Sequence, residues 1–150
     1  MKVNKVLLLI LLLSFLLRVW GINEPIWVDE AISLNYAQQP LMKGIELTLN
    51  DVHLPIHNIM LHFWPGDSLI SARMLSVLFG VLTVFMIYLI AKELFDEKTG
   101  LIASFLYSLS TLAIYYSQEA RVYSLLTFAV CLSMYFLIKE NKSGYFISTL

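Results

Sequence analysis

Three uncharged apolar runs decide what this chain can fold into. Met74–Ala91, Leu101–Gln118 and Val122–Ile138 contain no Asp, Glu, Lys or Arg over 18, 18 and 17 residues. Roughly 20 apolar residues in a helix are needed to cross a bilayer, where every backbone polar group must be satisfied internally. A further apolar run opens the chain. Val6 to Leu17 is interrupted only by Ser14 and follows Lys2 and Lys5. That pattern fits a secretory signal, but large residues stand where a small-x-small cleavage site would be, in Arg18-Val19-Trp20-Gly21. An uncleaved anchor over Val3–Trp20 is the favoured reading, with Arg18 snorkelling to the interface and Trp20 in the aromatic belt.

Composition agrees. The chain is 59% apolar and 14% charged, with a mean hydropathy of +0.75, against roughly 45–50% and 25% for soluble domains. A net charge of −1 leaves no footprint for nucleic acid. The single cysteine, Cys131, lies inside an apolar run and reads as a small core residue. The expected fold is an all-α membrane protein with four transmembrane helices, at about 3–20, 69–91, 101–118 and 122–138. Tyr145–Leu150 would begin a fifth, which makes residues 1–150 the N-terminal part of a longer domain or a truncated product.

Residues 21–68 form a long polar segment between the first two spans. Pro55 suits the first turn of a helix, and Ile56, Ile59, Met60 and Phe63 then mark one apolar face, with His57, Asn58 and His62 opposite. This predicts an amphipathic helix on the membrane surface, ending near Trp64-Pro65-Gly66. A weaker pattern predicts a second from Ala31 to Gln39, stopped by Pro40. Orientation follows from the lysines. With the N-terminus in the cytoplasm, Lys2, Lys5, Lys92, Lys98, Lys139 and Lys142 lie inside, and only Lys43 lies in the outer loop. Asp29, Glu30, Asp51, His53, Arg73, Glu119 and Arg121 then share the outer face.

These are the candidate chemistry. Asp29 and Glu30 are consecutive, so on regular structure they point apart; one can face a substrate while the other orients the backbone. A carboxylate held by Arg73 or Arg121 stays ionised and can take a proton from a hydroxyl. The plain alternative is a solvated pair, or an N-cap for a helix starting at Ala31. Arg73 and Arg121, at outer span ends, suit a lipid phosphate or simple snorkelling. Asp51, His53 and His57 lack the third histidine of a strong metal pattern, so hydrogen bonds to substrate or backbone are the favoured reading there, with a divalent metal as the minor alternative and no metal ligand assigned.

The motifs W-x-D-E-A (Trp27–Ala31), D-x-H-x-P (Asp51–Pro55), Ala72-Arg73 and Y-S-Q-E-A-R-x-Y-S-L (Tyr116–Leu125) together resemble the GT-C class of integral-membrane glycosyltransferases. Within it, the chain resembles the branch of the protein O-mannosyltransferases and the lipid A aminoarabinose transferase. It departs in reading His53-Leu54-Pro55 where the family often has H-P-P, and in lacking the family's further spans. The resemblance implies an enzyme that moves a sugar from a polyprenyl- or dolichyl-phosphate donor to a hydroxyl on a protein, glycan or lipid at the outer face, usually with inversion. It implies Asp29 as general base, with Glu30 supporting its loop. Arg121 would meet the donor phosphate or hold the carboxylates, and Arg73 would take the same task less directly. Glu119, Asp51 and His53 are the remaining expected substrate contacts. Two other readings stand beside it: an inactive remnant or small membrane subunit that needs a partner chain, and a transporter fragment. Transporter charges lie near the midplane, whereas these spans are clean in the middle and polar at one end.

Overall fold

The computed structural model describes residues 4–51, 54–66 and 68–142, with side chains to residue 139. Lys2, His53 and the expected fifth span lie outside the described residues. Within them the chain is all-helical, with eight helices and no strand: α1 Lys5–Val19, α2 Val28–Gln38, α3 Leu41–Asn50, α4 Ile56–Phe63, α5 Leu69–Leu94, α6 Glu97–Ser108, α7 Thr111–Ser117 and α8 Tyr123–Lys142.

The bundle forms around α5, which packs against α1, α6, α7 and α8. Its 26 residues make it the one described helix long and apolar enough to cross a membrane alone. Expected and observed spans differ in number. Helix α1 has 15 residues, and the apolar part of α8 covers 17. The expected continuous third span is corrected: α6 and α7 meet at a 64° bend and reach span length only as a bent pair. The break has a local cause. The Ser110 hydroxyl accepts from the Ala113 N–H at 3.4 Å and starts a new helix after Leu109, which hydroxyl side chains do well.

The bundle buries small polar residues beside its apolar core and leaves many large apolar side chains exposed. Along α1 the face turned inward is Leu7, Ile10, Ser14 and Arg18, while Leu8, Leu9, Leu12 and Leu16 are exposed. Ser76, Thr83, Ser104, Ser108, Ser117 and Ser124 are buried as well. Small hydroxyl residues between helices and large aliphatic residues outside are a pattern also found where helices pack in a bilayer.

Helices α2, α3 and α4 pack on one another at one end of this bundle. Ala37 and Leu61 join Ala72, Leu75, Phe79, Ala120 and Leu125 in one apolar cluster, which ties the small helices to α5 and α8. Pro40 both ends α2 and begins α3; α3 was not expected. Helix α4 has the predicted bounds, yet it buries His57 and Leu61 and exposes Ile56 and Phe63. Ile56 and Phe63 therefore face outward, while Leu61 sits in the apolar cluster and Met60 packs against it. Helix α1 stops at Trp20, where Gly21 takes φ +90°, a left-handed conformation that glycine adopts without strain.

Candidate functional site

Asp29 and Glu30 lie in the first turn of α2. The expected loop and N-cap positions are corrected: the helix begins at Val28, three residues before Ala31, and Trp27 precedes it as N-cap. Neighbouring helical residues differ by about 100° in direction, and these two carboxylates go to different worlds.

Glu30 turns inward, with its side chain 1% exposed. Its Oε1 accepts from Arg73 Nε at 2.8 Å and from the Ala120 N–H at 2.7 Å. Its Oε2 accepts from Arg73 Nη2 at 2.6 Å and from the Trp27 N–H at 3.3 Å. Burial pushes this carboxyl up, but the Arg73 guanidinium and the two backbone donors outweigh it and hold the group below its ordinary value. Arg73 is equally buried. Beyond Glu30 it donates to the carbonyls of Ile22, Glu24 and Pro25, at 2.7, 2.7 and 3.3 Å. Five acceptors thus meet its five N–H donors. One ion pair ties together the entry to α2, the start of α5 and the turn at Ala120.

Asp29 turns outward, with its side chain 65% exposed. Arg121 Nη2 stands 3.3 Å from Asp29 Oδ2, and Nη1 is 3.4 Å from both the Asp29 carbonyl and Ser33 Oγ. The Ser33 hydroxyl in turn donates to the Asp29 carbonyl at 3.0 Å. The Arg121 guanidinium also lies 5.8 Å from the centre of the Tyr123 ring, and Tyr123 packs on Tyr116 at 4.7 Å.

The segment from Ser117 to Arg121 is the hinge of the arrangement. Ser117 accepts from Arg18 Nε at 3.2 Å, Gln118 donates to the Trp20 carbonyl, Ala120 meets Glu30, and Arg121 meets Asp29. Glu119 is half-buried beside them and close enough to Arg73 to act on it through its charge. The structure therefore brings Asp29, Glu30, Arg73, Glu119 and Arg121 together. Asp51, at the end of α3, lines a space of about 20 Å³ with Arg121, His57 and Ser33. Among the described residues, no three His, Cys, Asp or Glu side chains are grouped to hold a metal ion.

Two residues read otherwise from the sequence belong here. Arg18 does not snorkel outward; it is fully buried and reaches Ser14 Oγ at 2.7 Å, Ser117 and the Ser108 carbonyl. The spacing Leu7, Ile10, Ser14, Arg18 marks it as inward-facing. His57 is buried on the protein side of α4, and its Nε2 has no partner. Burial, helped by the nearby Arg121 charge against a hydrogen bond with Asn58, lowers its pKa to about 4.

Among the described residues the fold is an all-helical bundle with one helix long and apolar enough to cross a membrane alone, and it carries a carboxylate–guanidinium cluster at one end. The dolichyl-phosphate-mannose-protein mannosyltransferase family model matches residues 56–149. The chain belongs to that family, and so to membrane glycosyltransferases of mannosyltransferase type that draw on a dolichyl-phosphate-linked sugar. The match covers Arg73, Glu119 and Arg121; Asp29, Glu30 and Asp51 precede it. Neither the search of curated proteins nor that of solved structures gave a match.

Proposed function

We propose that the chain transfers a sugar from a polyprenyl- or dolichyl-phosphate carrier to an acceptor hydroxyl, with inversion, at the outer face of a multi-pass GT-C-like bundle whose N-terminus is cytoplasmic. The observation that carries this reading is the division of labour between adjacent carboxylates. Glu30 is locked by four hydrogen bonds, while Asp29 is presented at the surface beside a guanidinium.

Asp29 is then the general base. It takes the proton of the acceptor hydroxyl as the acceptor oxygen bonds to the anomeric carbon. The bond from that carbon to the donor phosphate oxygen breaks, and its electron pair leaves with the phosphate. A fixed positive charge near that oxygen lowers the barrier. Arg121 has two tasks open to it, and its 3.3 Å contact supports holding the Asp29 side chain in place. Glu30 and Arg73 are positioning residues, since every donor of Arg73 already has a protein acceptor. Glu119 and Asp51 border the same face and are assigned to substrate contacts; His53 keeps its expected role there.

The test is Asp29→Asn in membranes carrying the whole gene product. Sugar transfer should fall to background while membrane insertion and thermal stability stay unchanged. Full turnover in that variant would remove Asp29 from the mechanism.

A further inference from the structure

The end of the bundle that carries Asp29 also holds a cavity that the transfer chemistry does not use. It measures about 450 Å³ and opens between α2, α4 and the start of α5, within the roughly 300–1,000 Å³ of small-molecule sites. Its floor is apolar: Ala37, Leu61 and Ala72 are buried, and Leu34 and Trp64 pack against the same cluster. Its rim is polar and exposed, made by the Gln38 carboxamide and the His62 imidazole. Both rings are tied to backbone. Trp64 Nε1 donates to the Ser71 carbonyl at 2.8 Å. His62 Nδ1 lies 2.8 Å from the Ala37 carbonyl. A carbonyl only accepts, so Nδ1 carries the hydrogen and the neutral ring keeps Nε2 as an acceptor. Gln38 adds both a donor and an acceptor. None of the described side chains in the wall is charged. A charged ligand would therefore meet no counter-charge here, and a wholly apolar one would strip water from Gln38 and His62 without replacing it. A pyranose satisfies both parts. Its hydroxyls meet the amide and the imidazole, and its C–H face packs on the electron-rich face of an indole.

We propose that this cavity binds an uncharged sugar residue already attached to the acceptor, away from the hydroxyl that reacts. The sugar site stands on the cavity alone; its assignment to the acceptor rests on the transferase reading. At 100° and 1.5 Å per helical residue, Leu34, Ala37 and Gln38 stand about 80–180° round α2 from Asp29 and about 8–14 Å further along it. The cavity is thus a second place on α2, separate from the carboxylate. An extended peptide covers about 3.3–3.6 Å per residue, so about four residues separate a sugar in the cavity from a hydroxyl at Asp29. Binding energy from this remote, non-reacting part of the substrate is then available to the reaction, and an acceptor glycosylated once becomes the better substrate for the next transfer.

The test is binding of methyl α-mannoside to the full chain in a sugar-free detergent, read by saturation-transfer NMR, with cyclohexanol and glucuronate as controls. Methyl α-mannoside should bind at least tenfold more tightly than either control. Trp64→Leu and Gln38→Leu should each lose at least fivefold; if Trp64→Leu does not fold, the exposed Gln38→Leu decides. Arg121→Ala should bind as the wild type does. In transfer assays, a peptide with one mannosyl serine four residues from a free serine should show a KM at least threefold below that of the bare peptide. Gln38→Leu should erase that difference. Equal binding of cyclohexanol would reduce the site to an apolar pocket, and equal binding of glucuronate would remove its preference for an uncharged ligand. Loss in Arg121→Ala with no loss in Gln38→Leu would move the sugar to the Asp29 cluster, and equal KM values for the two peptides would remove the acceptor role; each of these results overturns the proposal. The base assignment fails separately: full transfer by Asp29→Asn, with methyl α-mannoside binding still dependent on Gln38, leaves the sugar site standing without it.

Discussion

Replacing Glu30 by Gln should unlock the site while barely altering its shape. Each carboxylate oxygen accepts two bonds: Oε1 from Arg73 Nε and the Ala120 N–H, Oε2 from Arg73 Nη2 and the Trp27 N–H. Whichever way the substituted amide turns, its NH2 group meets two donors. Arg73 also loses its only direct carboxylate contact while 1% exposed. Removing one partner of such a pair costs about 3–5 kcal/mol. In contrast, Asp29→Asn breaks an exposed pair worth about 0–1 kcal/mol. Hydrogen exchange at the Ala120 amide separates the two. In Glu30→Gln its local opening should ease by at least about 3 kcal/mol, about a hundredfold faster exchange, with a lower melting temperature in detergent. In Asp29→Asn neither should change. Unaltered Ala120 exchange in Glu30→Gln, or equal destabilisation by both variants, would refute the assignment of Glu30 to positioning.

Three further outcomes follow from the same geometry. His57 has a pKa of about 4 against 6.5 in the unfolded chain, so its contribution is complete above pH 6.5 and is lost as pH falls towards 4. The span of about 2.5 units corresponds to roughly 3 kcal/mol. Acid titration of thermal stability should show this loss, and His57→Phe should flatten it; an unchanged profile would remove His57 as its source. Gly80→Ala drives a methyl group against Ser117 and Arg18 and should cost about 1–3 kcal/mol, read as a lower melting temperature. Ser110→Ala removes the cap of α7 and should cost about 1 kcal/mol; no change would mean that packing alone sets the 64° bend.

Much of this architecture is written locally. Pro40 and Pro55 mark the end of α2 and the start of α4, and charge-free runs mark α5 and α8. What was missed shares a physical reason. Hydropathy weighs charge and bulk, so a serine that caps a helix inside an uncharged run goes unseen, and the break at Ser110 reads as continuous span. Helix α3 was hidden by Lys43, Gly44 and Glu46, which interrupt its apolar pattern. Arg18 was legible in direction from the spacing of Ser14 and Ile10, but its place at a span end made the interface the default destination. The convergence of Asp29, Glu30, Arg73 and Arg121 on one end followed from topology. The specific pairing did not, because Glu30 finds its partners 43 and 90 residues away.

The placement of the two carboxylates side by side in the chain is itself a mechanical device. In the proposed mechanism the base must be exposed to meet its acceptor, and exposure deprives it of the packing that would hold it still. Here the neighbouring residue supplies that packing. Glu30 anchors the first turn of α2 to α5 and to the 117–121 segment, and a helical turn transmits position rigidly from one residue to the next. Asp29 can therefore remain 65% exposed while its Cα is fixed by the buried lock beside it. Arg121 closes the arrangement, because the segment that gives Glu30 its Ala120 N–H also carries, one residue on, the guanidinium that meets Asp29. Breaking the inner contact should then blur the outer one. Exchange at Ala120 and turnover ought to fail together in Glu30→Gln and come apart in Asp29→Asn.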